Sequence, residues 1–287
     1  MLRLASTLGA RRRLASTLAG GFGHTLEETT RPGFYSLTLA RPEVHNAFND
    51  DMIHAMTQTL DELSAVEGLR GVFLRGEGKS FCAGGDLQWM RRAAHLSAEE
   101  NERDALALSR MLLKLATLPC ATVALVHGNA FGGGVGMISA CDIAVGVRGA
   151  TFSLSEAKLG LIPATISPYV VPRIGSNHAR RYFLTAERFD AARAREVGLL
   201  HELCDDAAGL ATWAEHFASE LTLCAPSAVS AGKELIAAVE NRERDDSLLQ
   251  ETARRLSLQR ESAEGREGIS AFLAKRKAAW TGRADSE

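Results

Sequence analysis

Residues 121–136 read ATVALVHGNAFGGGVG, and their order decides the fold. Ala121–His127 is apolar with no alternation, the pattern of a strand buried on both faces. Gly128–Gly136 then turns, and the apolar run that continues to Ala140 predicts a buried helix. A helix entered through Gly132-Gly133-Gly134 leaves its first N–H groups unbonded at the positive end of its dipole. Outward from this unit, Tyr35–Leu39 (YSLTL), Gly71–Arg75 (GVFLR) and Ile143–Val147 read as further strands. Asp50–Ser64 reads as an amphipathic helix opened by two acids, and a long polar helix runs from about Ser97 to Leu118, where Pro119 stops it. Strands alternating with helices predict an α/β layered core. From about Gly175 the chain reads as helix over 177–184, 191–197, 208–223, 228–240, 247–261 and 266–280, apart from a short segment near 200–203. One catalytic unit over 27–287 is expected, with the α/β core reaching to about 175.

The composition narrows the function. The 287 residues are 46% hydrophobic and 24% charged, as in soluble globular chains. No apolar run approaches the roughly 18–20 residues that cross a bilayer, so no membrane association is expected. A net charge of -2 gives no basic face for nucleic acid. Cys82, Cys120, Cys141, Cys204 and Cys224 are scattered, with no CxxC pair and no His/Cys cluster. Reduced thiols and no metal are therefore expected. Residues 1–26 stand apart: they hold Arg3, Arg11, Arg12 and Arg13, are rich in Ser and Thr, repeat RLASTL, and contain no acid. That is the composition of an organellar transit peptide, which implies the mitochondrial matrix. A disordered tail on a protein of the bacterial cytoplasm fits the same composition.

Three segments carry candidate chemistry. Ser80–Leu87 (SFCAGGDL) follows a strand, and its small residues let backbone approach a ligand closely. Gly128–Gly136 offers free N–H groups at a helix start, without the spacing of a nucleotide-phosphate loop. Together the two loops could bring one N–H each to a single oxygen, which suits a reaction that charges a carbonyl. Phe152–Pro163 (FSLSEAKLGLIP) sets Glu156 among small and apolar residues, where desolvation raises a carboxyl toward general-base range. A surface pairing of Glu156 with Lys158 is the plainer alternative.

These segments, in this order, resemble the enoyl-coenzyme A hydratase/isomerase (crotonase) family from about Gly33 to Trp280. Arg41-Pro42, Asn46-Ala47, FCAGGD at 81–86, GNAFGGG at 128–134, Cys141-Asp142, SEAKLGLIP at 155–163 and REGISAFLAKRK at 266–277 carry the resemblance. It implies a crotonase-like ββα layered core followed by a helical C-terminal oligomerisation region. It implies that Gly85 and Gly133 supply oxyanion N–H groups, with Glu156 as a catalytic acid–base. Ala47 and the run Gly85, Asp86, Leu87 and Gln88 would line the coenzyme A path. Phe272 and Lys275 would reach the coenzyme of a neighbouring subunit in a homotrimer or dimer of trimers. No separate cofactor is implied, because coenzyme A is part of the acyl thioester substrate.

The departures point further. Hydratases of the generic kind carry a first glutamate where this chain has Gly136, so Glu156 is left as the single acid. Gly136 is expected to free room beside the acyl group. Pro163–Tyr169 (PATISPY) replaces a glycine-rich stretch and looks like a branch that includes methylglutaconyl-coenzyme A hydratases of leucine breakdown. Thr165, Ser167 and Tyr169 would then offer hydroxyls to a distal carboxylate, or else cap a turn around Pro163 and Pro168. The expected reaction is reversible syn hydration of a 2-enoyl thioester. Double-bond isomerisation is the alternative, and an inactive coenzyme A- or RNA-binding relative is the non-enzymatic one.

Overall fold

The computed structural model describes residues 23–282. Its strands build two sheets in alternation. Strands β1 (His24–Glu28) and β2 (Phe34–Leu39) form an antiparallel hairpin, and helix α1 (Asp50–Ser64) follows. Next come β3 (Gly71–Gly76), β4 (Ser80–Cys82), α2 (Leu87–Ala93) and α3 (Ala98–Ala116). Residues 121–140 supply β5 (Ala121–Val126), β6 (Asn129–Phe131) and α4 (Gly133–Ala140). After it come β7 (Ile143–Val147), β8 (Thr151–Ser153), a 3-10 turn over Ser155–Leu159, α5 (Ser167–Thr185), β9 (Phe189–Asp190), α6 (Ala191–Glu196) and β10 (Glu202–Cys204). Four helices finish the described chain: α7 (Ala207–Thr222), α8 (Pro226–Val239), α9 (Asp246–Glu261) and α10 (Ala263–Leu273).

The larger sheet runs β1-β2-β3-β5-β7-β10, parallel from β2 onward, and the smaller runs β4-β6-β8-β9. Each of β3, β5 and β7 therefore leads straight into a short strand of the second sheet and then into helix. This is the expected ββα layering. β5 is buried at every residue, which explains its unbroken apolar run. On α1, Met52, Ile53, Met56, Leu60 and Leu63 recur at helical spacing and face the core, and the Asn49 side chain caps the helix by accepting from Met52 N–H. The Cys141-Asp142 pair also has a structural role. Asp142 accepts from the N–H and hydroxyl of Thr122 and pairs with Lys233 at 2.8 Å, fastening α8 to the end of β5.

Three boundaries differ from the sequence reading. His24–Leu26, read as the end of a leader or tail, are sheet residues. Leu26 is buried in the core, and His24 Nε2 lies 2.8 Å from Thr59 Oγ1 on α1. The folded unit therefore begins no later than His24 rather than at Glu27, while residues 1–22, with all four arginines, lie outside the described residues. The helix read over 177–184 reaches back to Ser167 through a break at Gly175 (φ 75°, ψ 152°), a conformation that interrupts helical periodicity. The helix read over 266–280 ends at Leu273, because Lys275 turns into the left-handed region (φ 51°) and the chain folds back to set the Trp280 ring against Gly268.

Candidate active site

The smaller sheet assembles the site. β4 pairs with β6, and β6 with β8, all parallel, so the chain leaves the three strands at one edge. The loop Ala83–Asp86 leaves β4, the turn at Gly132 leaves β6, and the 3-10 turn bearing Glu156 leaves β8. Gly85, Gly133 and Glu156, separated by 48 and 23 positions along the chain, thus become neighbours.

The first loop is held by a parallel bridge between Phe48 and Gly85. Phe48 N–H donates to Gly84 O and Phe48 O accepts from Asp86 N–H, both at 2.9 Å. In a parallel bridge the residue between the two bonded neighbours points its own groups the other way. Gly85 N–H therefore faces away from Phe48, and it donates to no partner among the described residues. Beneath the loop, Asn46 is fully buried and donates its amide to Glu77 O and Ser80 O at 2.8 Å, which fixes the path of the chain.

Gly132 bonds Ser153 O at 2.9 Å and turns the chain into α4 with φ 50° and ψ -119°, a backbone that requires glycine. Gly133 is then the first residue of α4, and its N–H has no acceptor within the helix. The two loops touch: a Cβ on Gly84 would stand 3.5 Å from Gly133 N and 2.9 Å from Phe131 O. Both free N–H groups thus open on the same small space.

Glu156 closes that space from the third turn. A Cβ on Gly132 would stand 3.1 Å from Glu156 Oε1, so the carboxyl rests against the residue next to Gly133. Its Oε2 is buried without a hydrogen-bond partner among the described residues. Burial raises its pKa above the ordinary carboxylate range, partly offset by its own backbone N–H. No ion pair with Lys158 relieves it among the described residues. A half-buried, unpaired carboxyl beside two unengaged N–H donors can move a proton next to an oxygen that is gaining charge.

The remaining residues divide. Ala47 is buried beside the Phe48 bridge, and its carbonyl accepts from Arg41 at 2.6 Å. Asp86 caps α2, accepting from Gln88 and Trp89 N–H, and pairs with Arg41 at 2.9 Å. Such a cap stabilises a helix by about 1 kcal/mol. Burial works against its charge, yet the two N–H groups and the Arg41 guanidinium bring its pKa below the ordinary value. Leu87 and Gln88 are exposed on the first turn of α2. Phe272, 82% exposed, and Lys275 stand at the end of α10, which packs on α8 and α9. A cavity of about 750 Å³ lies between the β1–β2 turn and the C-terminal helices, and none of its lining residues belongs to the glycine–glutamate cluster.

Gly136 does not leave the room expected of it. A Cβ there would stand 2.1 Å from Ile166 Cγ2 and 2.7 Å from Ile166 Cβ, so an isoleucine side chain already occupies the volume. The sequence reading missed Ile166, Phe48 and Trp89. Phe48 packs under Gly133 and tilts against Trp89, with ring centroids 5.9 Å apart. Of the three hydroxyls near the acyl end, Ser167 donates to Ala164 O at 2.8 Å and is committed to its own turn. Thr165 and Tyr169 hydroxyls have no hydrogen-bond partner among the described residues.

The family model described as enoyl-CoA hydratase/isomerase matches residues 29–283. The chain belongs to that family. A crystal structure of an enoyl-CoA hydratase from Shewanella pealeana is 39% identical, with a TM-score of 0.88, covering 94% of this chain and 98% of that one. The 1,2-epoxyphenylacetyl-CoA isomerase of Escherichia coli is 33% identical over 254 residues, 88% of this chain and 96% of the relative. Enoyl-CoA hydratase AKT6-1 of Alternaria alternata is 34% identical over 219 residues, 76% of this chain and 72% of the relative. As a family member this chain has enoyl-CoA hydratase/isomerase activity in general, and an acyl-coenzyme A thioester is consistent with it as substrate. No helix of the described residues is long and apolar enough to cross a membrane.

Proposed function

We propose that the chain adds water reversibly to a 2-enoyl-coenzyme A thioester, with Glu156 as its single acid–base group and Gly85 and Gly133 N–H holding the enolate oxygen. The observation that carries this reading is the meeting of two unengaged N–H donors with an unpaired, desolvated carboxyl. Glu156 takes a proton from water as the water oxygen bonds Cβ. The alkene electrons move to the thioester, whose oxygen carries the charge toward the two N–H groups. Glu156 then returns its proton to Cα on the same face, so one water is added overall. No cofactor enters these steps. Loss of the enoyl absorbance of crotonyl-coenzyme A, measured for the wild type and Glu156→Gln, tests the reading: an unchanged rate in the variant overturns it, and an inert wild type turns it to a binder.

Isomerisation is the second reading, and one observation favours it. With Ile166 in the place a second acid would need, Glu156 alone shuttles protons, which is sufficient to move a double bond from C3 to C2. A relative in Mycosarcoma maydis named enoyl-CoA isomerase/hydratase, 32% identical over 261 residues, supports this reading. Turnover of 3-hexenoyl-coenzyme A beside crotonyl-coenzyme A separates the two.

The finer substrate reading is 3-methylglutaconyl-coenzyme A. Its support is the Pro163–Tyr169 pattern and the uncommitted hydroxyls of Thr165 and Tyr169, which suit a distal carboxylate; spare room at Gly136 no longer supports it. The proposed assembly is a homotrimer or dimer of trimers, supported by the exposed Ile269, Phe272 and Leu273 on α10. In it Phe272 and Lys275 would reach a neighbour's coenzyme. The arginine-rich start supports a mitochondrial address, tested by fusing residues 1–26 to a reporter, which a cytosolic signal would refute.

A further inference from the structure

We propose that Ile166 sets the balance between hydration and isomerisation: it closes the second acid's position and holds an apolar group on the α4 side of the reacting carbons, which slows hydration relative to isomerisation. The inference rests on the reading of Glu156 as sole acid–base group. It follows from where three side-chain positions fall on the first turn of α4. At Gly132 a Cβ would meet the Glu156 carboxyl, at Gly133 it would meet Phe48, and at Gly136 it would meet Ile166. Residues 132 and 136 are about 6 Å apart along a helix axis at about 1.5 Å per residue. One turn apart, they share a face, so the Glu156 carboxyl and the branched Ile166 side chain stand at the two ends of a stretch that a three-carbon unit would span.

Ile166 is rigidly set. It is 2% exposed, belongs to the core, and ends the Pro163–Ile166 turn that accepts Ser167 and Val170 N–H bonds. A β-branched side chain is stiff at χ1, and enclosure in the core leaves it little freedom to swing aside. A glutamate at 136 has no space while Ile166 stays, and a water at that end would find only methyl groups. A proton lifted by Glu156 is then returned to the same three-carbon unit.

The test measures kcat/KM for hydration of crotonyl-coenzyme A and for isomerisation of 3-hexenoyl-coenzyme A in four chains: wild type, Ile166→Ala, Gly136→Glu, and the double variant. Ile166→Ala should raise the hydration-to-isomerisation ratio at least about tenfold. Gly136→Glu alone should lower both activities and the melting temperature, and adding Ile166→Ala should recover the melting temperature and raise hydration at least about tenfold over Ile166→Ala alone. A folded Ile166→Ala chain with a ratio within twofold of wild type overturns the proposal. So does a Gly136→Glu chain as stable and active as the double variant. Should Ile166→Ala not fold, Ile166→Val removes one methyl and should shift the ratio the same way at least about twofold; no shift overturns the proposal. Glu156→Gln in each background separates the underlying reading: if it keeps both activities, the assignment of Glu156 fails rather than the role of Ile166.

Discussion

Replacing Gly133 by alanine isolates the geometry of one N–H donor. Gly133 has ordinary helical dihedrals, so alanine brings no backbone strain and favours the helix by roughly 0.5–1 kcal/mol. The added Cβ, however, would stand 2.3 Å from Phe48 Cζ and 2.7 Å from Cε1. Carbon atoms rest at about 3.5–4.0 Å, so one side must retreat by more than about 1 Å. Phe48 is poorly placed to do so: it is 2% exposed, its backbone is bonded on both sides to Gly84 and Asp86, and Trp89 lies against its ring. The first turn of α4 therefore moves and takes the Gly133 N–H out of line. Loss of one oxyanion donor lowers kcat by about 10²- to 10³-fold, or about 2.7–4 kcal/mol. Overpacking destabilises by about 1–3 kcal/mol, against which the helical gain is set, so stability falls by only about 0–2.5 kcal/mol. Steady-state hydration of crotonyl-coenzyme A with melting curves on the same samples measures both. Phe48→Leu removes the clashing ring atoms, and the double variant should recover at least about tenfold in kcat. A Gly133→Ala enzyme within threefold of wild type refutes the reasoning, as does a large loss that Phe48→Leu does not relieve.

Glu156→Gln should lower hydration by about 10²- to 10⁴-fold, and a variant keeping a tenth of wild-type turnover would remove Glu156 from the chemistry. Because burial raises the Glu156 pKa, kcat/KM should fall with decreasing pH through a value above the usual glutamate pKa of about 4.3, and a pH-independent acidic limb would contradict this. A carboxyl with a higher pKa folded than unfolded loses stability as pH rises past its unfolded value; Glu156→Gln should therefore melt no lower than wild type at pH 7, with any gap closing toward pH 4. For the acyl group, 3-methylglutaconyl-coenzyme A should exceed crotonyl-coenzyme A in kcat/KM by at least about tenfold, about 1.4 kcal/mol, with Thr165→Val narrowing the gap more than Ser167→Ala; equal rates would return the enzyme to unbranched substrates. Sedimentation should give a trimer or hexamer that Phe272→Asp weakens, and a monomer at micromolar concentration would refute the assembly.

What was legible in the sequence follows from length and periodicity. β5 and α1 are long enough to display their burial, and Ser97 and Pro119 bracket α3 with recognisable end signals. β4, β6, β8 and β9 have only two or three residues each, too few for any alternation to appear, so the smaller sheet that positions the site was hidden. β1 was mistaken for leader because its composition merges with the arginine-rich start, and only pairing with β2 makes it a strand. Gly85, Gly133 and Glu156 were legible because small residues and a lone acid in apolar surroundings have a physical reading. Ile166 was not, since nothing local says that its methyl groups lie on Gly136, thirty positions earlier. Absence of a side chain was read as space, but a core at crystal-like density gives such space to a neighbour.

The β4–β6 pairing also bears on how such an enzyme can be altered. Ser80 faces Asn129 and Cys82 faces Ala130, so the excursion through α2 and α3 starts and finishes at adjoining points. The two N–H groups are tied by that pairing and by the Phe48 bridge, not by the forty-odd residues between them. Within that excursion β5 is fixed between β3 and β7 and α3 buries Leu108, Met111, Leu112 and Leu115 in the core, which leaves α2, with no fully buried residue, as the part open to change. Exchange of α2 alone leaves the two N–H groups in place, provided Asp86 still caps that helix and Trp89 still meets Phe48.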